Sequence, residues 1–296
     1  MIEQRPMRGL LTSNIAVLLF GLAGVLGKLS MLPAPLIVLG RVFFAGIALG
    51  AVALIRRVDM RAHNRRDLAL LVGLGILLAL HWTAFFASIA VSNVAIGLLS
   101  FSSFPLFTAM LEPLILHQRA NRLQVFAALL ILPGIYLLTP SFSLNNTATS
   151  GVLLGLFAGA TFALLSVINR WLGASYASLT ISLYQDGVAT LVLLPTLLFL
   201  PVDGLFTAHE IGILLILGIG CTAIAHTLFI TGMRDITAQL ASLFGSLEPV
   251  WGIIFALFLL DEVPAARTLV GGGVILIATL IPLVGRRNSL YQEISI

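Results

Sequence analysis

The 296-residue sequence is 59% hydrophobic and only 9% charged, with a mean hydropathy of +1.09, against about a quarter charged in an ordinary soluble domain. That balance excludes a soluble globular enzyme and predicts an all-α integral membrane protein. The net charge of +4 and pI near 9.8 do not point to nucleic acid, because the cations fall in short blocks between apolar runs, the pattern of loops on one membrane face.

The opening MIEQRPMRGLLTSN leads straight into an apolar stretch without a small-residue cleavage site, so an uncleaved first span is expected. A hydrocarbon core of about 30 Å takes roughly 20 apolar residues per helix. Breaking the chain at charges and turn residues predicts ten spans, near 10–30, 34–55, 68–90, 94–116, 123–140, 151–169, 178–200, 211–232, 236–259 and 268–285. Lys28, the chain's one lysine, closes the first, and Arg41 lies about two turns into the second. His81, Trp82 and Phe85 fall in the third, Asp186 in the seventh, and His226 and Phe229 in the eighth. Glu248 sits in the middle of the ninth, directly before Pro249, with Asp261 and Glu262 at its end.

The arginines orient this path. With both termini inside, the inner segments hold Arg5, Arg8, Arg56, Arg57, Arg61, Arg65, Arg66, Arg119, Arg122, Arg170, Arg234, Arg286 and Arg287. The outer loops after spans five and seven, SFSLNNTATS and PVDGLFTAHE, hold no Lys or Arg at all. A chain that follows the positive-inside rule this closely is expected in the cell (inner) membrane with cytoplasmic termini.

Spans three to five also align with spans eight to ten at a fixed offset of 144 residues (226 less 82, for example). Trp82 then faces His226, Thr83 faces Thr227, Phe85 faces Phe229, Leu99 faces Leu243, Pro105 faces Pro249 and Leu116 faces Leu260. Two five-helix repeats, residues 1–145 and 146–296, are the expectation. Five is odd, so the second repeat enters the bilayer from the opposite face, the inverted construction of alternating-access carriers.

Lys28, Arg41, the run SLEPVWGIIFALFLLDE at 246–262 and the glycine-rich LVGGGVILIATLI after it resemble, in their order and spacing, the EamA-type branch of the drug/metabolite transporter superfamily. The resemblance covers nearly the whole chain. It implies a 5+5 helical transporter with a central cavity lined mainly by spans 1, 3, 4, 6, 8 and 9, and movement of small metabolites, often amino acids or related compounds, outward. The chain departs from the family pattern at Gln118, where a glutamate is usual, and at Phe20, where tryptophan is common.

An ionisable side chain within the bilayer costs roughly 2.5 to 3.5 kcal/mol, so each needs a reason. Lys28 and Arg41 form either a cationic rim for anionic or zwitterionic substrates, or structural contacts, with Lys28 snorkelling and Arg41 capping helix carbonyls or meeting Asp261 and Glu262. Pairing with those carboxylates is the favoured structural form, and makes the cations parts of an outer fastening between the repeats. Asp186 binds a substrate amine or coupling proton, or pairs with Arg170. Glu248 is a proton or cation site beside a carbonyl freed by Pro249, or a kink glutamate bonded to another helix. His81 and His226 form a proton relay, or are neutral groups bonded between helices. Trp82, Phe85, Phe101, Phe162 and Phe229 line a cavity or pack. Gly21, Gly24 and Gly27 serve close helix contact.

There is no GxSxG, P-loop or Rossmann fingerprint, no HExxH, and the lone Cys221 offers neither disulfide nor metal ligand set, so no catalytic group, metal or cofactor is expected. The expected activity is that of a secondary transporter, an exporter of small metabolites, acting as monomer or homodimer, with protons as a coupling ion. The alternative is a membrane-embedded lipid carrier or lipid-modifying enzyme. Its acidic or histidine cluster would have to come from Asp203, His209, Glu210, Asp261 and Glu262.

Overall fold

A computed structural model describes residues 6–116, 122–138, 143, 145–200, 206–235, 245 and 247–284. Among these residues there is helix and no strand. The helices are α1 (Pro6–Leu29), α2 (Ala34–Ile55), α3 (Arg65–Val91), α4 (Val94–Phe101), α5 (Phe104–Leu116), α6 (Arg122–Leu138), α7 (Thr147–Leu172), α8 (Ser178–Leu193) and the short α9 (Thr196–Phe199). They continue as α10 (Ala208–Leu215), a π-helical segment (Ile216–Ile224), α11 (Ala225–Asp235), α12 (Glu248–Leu259) and α13 (Ala266–Val284). Gln118, Arg119, Arg286, Arg287 and most of 236–247 lie outside the described residues.

Lipid leaves backbone groups no partner but each other, which is why apolar runs of this length become helices. Polar loop residues start them. Asn64 accepts from Asp67 N at 2.8 Å, Asn93 from Ile96 N at 2.8 Å and Asn146 from Ala148 N at 2.9 Å, each supplying an acceptor to the first turn. Among the described residues, seven helical stretches are long and apolar enough to cross a membrane: Met7–Leu29, Ala34–Ile55, Arg65–Val91, Val94–Ile115, Thr147–Leu172, Ser178–Phe199 and Ala208–Gly232. Leu129–Leu138, Glu248–Leu259 and Ala266–Ala278 are shorter apolar helices.

The packing pairs are reciprocal. Among the described residues α1 packs on α11 and α12, while α7 packs on α3, α4 and α5; α2 packs on the π-helical segment while α8 packs on α3. The remaining large contacts are α2 with α8 and α6 with α13. At the crossing of α1 and α12 the backbones nearly touch, since a Cβ added at Gly21 would lie 2.8 Å from Gly252 N. That answers one sequence expectation: Gly21 serves close approach.

Two ends are fastened, neither by the predicted groups. At the end where α1 turns into α2, Ser30 Oγ donates to Glu210 Oε2 at 2.6 Å and Met31 N to Glu210 Oε1 at 3.0 Å. At the opposite, arginine-rich end, where α2 turns into α3, Tyr176 Oη donates to Asp67 Oδ2 at 2.7 Å and accepts from His63 N at 2.7 Å, with the His63 and Tyr176 rings stacked 4.4 Å apart.

Candidate functional site

Arg41 stands about two turns into α2, 2% exposed, and it is not paired with Asp261 or Glu262. This corrects the expected outer fastening. Its Nε donates to Thr222 Oγ1 at 2.9 Å and its NH2 to the Cys221 carbonyl at 3.3 Å, so it takes the carbonyl-capping role. Its guanidinium carbon lies 3.8 Å from the centre of the Trp82 ring and 5.2 Å from that of Phe86, a planar cation on an aromatic face. Glu262 accepts from Val94 N at 3.0 Å, serving the first turn of α4, and Asp261 is an exposed turn residue at φ 53°.

The π-helical segment makes this seat. Its wider winding lets Thr222 Oγ1 donate to Leu217 O, five residues back, at 2.7 Å, and then accept from Arg41. Such segments are rare and concentrate at functional sites. Gly218 allows the approach, because a Cβ there would lie 2.8 Å from Arg41 O and 2.6 Å from Phe44 Cβ.

Around Arg41 the structure gathers four predicted residues from other helices. Asp186 on α8, Glu248 at the first position of α12, His226 on α11 and His81 on α3 are all buried and all lie close enough for Arg41's charge to act on them. Asp186 is 0% exposed, and neither of its carboxylate oxygens has a hydrogen-bonding partner among the described residues. The alternative pairing with Arg170 is therefore excluded for Asp186; Arg170 is exposed at the end of α7. Most residues that precede Glu248 in the expected ninth span lie outside the described residues. Glu248 opens α12, with Pro249 in the first turn, where the positive end of the helix dipole favours a carboxylate.

The two histidines do not touch. His81 Nδ1 lies 2.9 Å from Ala158 O, and since a carbonyl only accepts, that nitrogen carries the proton. Its ring sits among Phe162 at 5.2 Å, Phe101 at 5.6 Å and Phe85 at 6.3 Å. His226 meets the edge of Trp82 at 6.0 Å, and its Nδ1 has no partner among the described residues. A direct histidine-to-histidine relay is thus absent from this conformation; Trp82 stands between them. Phe229 packs instead on Phe20 at 5.7 Å. Lys28 Nζ donates to Ile89 O at 2.9 Å and Ser92 O at 3.1 Å, closing the end of α3.

Sequence reasoning missed Thr222, the Cys221 carbonyl, Glu210 as a fastener and Tyr176. No sequence signal announces a π-helical turn. The GxG of ILGIGCTAI marks at most a place where two backbones meet.

A polytopic helical membrane protein with a buried, charged centre where helices of both chain halves meet is the class that this fold and site define. The chain matches the description "EamA-like transporter family" over residues 7–139 and again over 149–284, and it belongs to that family. Among its relatives, the uncharacterized transporter YwfM of Bacillus subtilis (strain 168) is 24% identical over 219 residues, 74% of either chain. The pseudopaline exporter CntI of Pseudomonas aeruginosa (strain PAO1) is 27% identical over 284 residues, 92% of this chain and 94% of that one. A solved structure titled "Crystal structure of protein" shares the fold, with a TM-score of 0.68 at 20% identity over 95% of this chain and 97% of that one.

Proposed function

We propose that the chain is a secondary transporter that exports a small polar metabolite, an amino acid or related compound, by exposing the Arg41 centre alternately to the two membrane faces. The observation that carries this is Arg41 itself: a wholly buried guanidinium between the halves, bound by neutral acceptors, with two carboxylates in range. A charge is retained in such a place at a cost of several kcal/mol, and in membrane proteins it marks a substrate or ion path by default.

Ten spans in two inverted repeats fit the chain's internal offset. Ala34 and Ser178, Phe104 and Glu248, and Arg122 and Ala266 begin helices, each second number exceeding the first by 144 (178 less 34, for example). The family match comes twice, once in each half, and the helix contacts are reciprocal between halves. Alternating access then follows from rocking one repeat on the other. The arginine-rich end faces the cytoplasm, with both termini, in the inner membrane. The relative named as an exporter supports outward movement.

Arg41 holds a substrate carboxylate; Glu248 or Asp186 meets an amine or a coupling proton, and Trp82 with His226 forms the wall. With one fixed cation and two acids in a low-dielectric site, a substrate that changes the charge at Arg41 changes the protonation of the acids, which is coupling. The test is counterflow and pH-gradient-driven uptake in proteoliposomes over a panel of amino acids and their conjugates. At least one compound should exchange in wild type, and Arg41→Gln should abolish it. Failure of every compound, with headgroup-labelled lipid moving across the bilayer instead, overturns the reading.

A further inference from the structure

The π-helical segment lies at a break in the 144-residue offset. Ahead of it, residues of α3 and α10 that do the same work stand 143 apart. Asn64 accepts from Asp67 N at 2.8 Å and Thr207 from Glu210 N at 3.3 Å, starting the two helices alike. Asp67 and Glu210 are the two fastening carboxylates. Gly75 and Gly218 are the two crossing glycines: a Cβ at Gly75 would meet Val188 Cβ and lie 3.0 Å from Gln185 O, and one at Gly218 would lie 2.6 Å from Phe44 Cβ and 2.8 Å from Arg41 O. Here 207 less 64, 210 less 67 and 218 less 75 all give 143, while the residues they cross, Arg41 with Gln185 and Phe44 with Val188, keep 144. Beyond the segment the offset is 144 again, at Trp82 with His226, Thr83 with Thr227 and Phe85 with Phe229.

One residue more therefore separates Gly218 from His226 than separates Gly75 from Trp82. The π-helical segment (Ile216–Ile224) occupies that interval, whereas α3 is α-helical throughout. A π turn closes its hydrogen bond over five residues where an α turn uses four. It absorbs the extra residue and leaves both flanks in the phase they have in α3.

Such winding is rare, and here three hydrogen bonds hold it. Thr222 Oγ1 donates to Leu217 O at 2.7 Å, and Arg41 donates to Thr222 Oγ1 at 2.9 Å and to the Cys221 carbonyl at 3.3 Å. Both acceptors of Arg41 lie within the interval that carries the extra residue.

We infer that the segment is a latch kept wound by Arg41: when an anionic group takes the guanidinium from Thr222 and Cys221, the segment relaxes to α, and the residue it no longer absorbs turns α10 and draws Glu210 off Ser30 and Met31. The inference rests on the proposed transport function for the identity of that group, a substrate carboxylate, though not for the latch itself. A carboxylate binds a guanidinium in a charge-assisted fork that a hydroxyl and a carbonyl cannot match. A ligand that takes the guanidinium only after they let go shifts the population to the relaxed state. The flank that turns is α10, packed chiefly on α2 and on the segment itself, because α11 is held against α1 and α8. One residue of α-helix is about 100° of rotation, which at a side-chain radius of about 5 Å carries Glu210 through about 8 Å. Neither of its hydrogen bonds survives that movement.

The experiment measures a distance by double electron–electron resonance on the full chain in lipid vesicles. Nitroxides are carried on p-acetylphenylalanine at positions 31 and 209, both exposed and on the two sides of the Glu210 fastening; this chemistry leaves Cys221 in place. Arg41→Gln should change the distance by about 5 Å or more, the displacement of a turned helix. Deletion of Gly220, which has nothing within 4 Å of its added Cβ, gives an α-helix with both flanks in phase. The wild-type distance should persist in that variant, and also when Arg41→Gln is added to it. A structural role for Arg41 alone predicts no such rescue. If the deletion does not fold, Thr222→Val should change the distance as Arg41→Gln does, and Thr222→Ser should not. A wild-type distance in both Arg41→Gln and Thr222→Val, or a changed one in the deletion with Arg41→Gln, overturns the inference. The protein amino acids, each at millimolar concentration, are the probes for the wild type: at least one should bring on the changed distance, and none should in the deletion variant. If none does while the variants behave as stated, the latch stands and the amino-acid transport reading falls.

Discussion

Arg41 makes three contacts that a lysine cannot make together: two directed hydrogen bonds, to Thr222 and the Cys221 carbonyl, and a flat face on Trp82 at 3.8 Å. An ammonium keeps the charge but not the fork or the plane. Arg41→Lys is expected to fold, to lose about 2 kcal/mol from the desolvated aromatic contact, and to raise the substrate concentration for half-maximal counterflow at least tenfold. Wild-type counterflow in that variant would show that the charge alone suffices. Of the centre's members, Arg41, Asp186, Glu248 and the histidines were legible in the sequence, because ionisable residues are conspicuous in apolar runs. Their partners were not. Asp261 and Glu262 looked right for Arg41 by sign and by side of the membrane, but the guanidinium is satisfied a helix away by a neutral hydroxyl and a carbonyl, and these atom types occur everywhere in a sequence.

At the scale of elements, the π-helical segment decides how near the eighth apolar stretch comes to α2. Gly218 meets Arg41 O and Phe44 Cβ, whereas two residues later Gly220 has nothing within 4 Å of its added Cβ. These glycines form a matched pair on one segment. Gly218→Ala forces backbone apart and should destabilise the protein by about 1–3 kcal/mol; Gly220→Ala should stay within about 0.5 kcal/mol of wild type. Thermal unfolding in detergent reads both, and equal melting temperatures would mean that α2 and the segment do not pack this closely. Helix existence was readable here from apolar length alone, and most starts fall within a few residues of expectation. The shift from α to π winding was not, since it is set by which backbones must touch.

For the whole molecule, the two fastenings are related as the proposed repeats would be. Ser30 and Met31 join the first turn of one half's hairpin to Glu210, in the first turn of the other half's third span, and Tyr176 joins the matching hairpin of that half to Asp67, in the first turn of α3. They lie at opposite ends, so an alternating carrier has to release one at a time. Glu210→Ala should favour opening at its own end and Tyr176→Phe opening at the arginine-rich end. The single cysteine supplies the reporter, because Cys221 is buried beside Arg41 at the centre. Labelled with a membrane-impermeant maleimide in vesicles of known sidedness, Cys221 should react faster from the Glu210 end in the first variant and from the arginine-rich end in the second, with the double variant accessible from both. Enhancement from the same side in both single variants would mean that the two contacts do not oppose each other, and the rocking of two antiparallel halves would lose its mechanical basis.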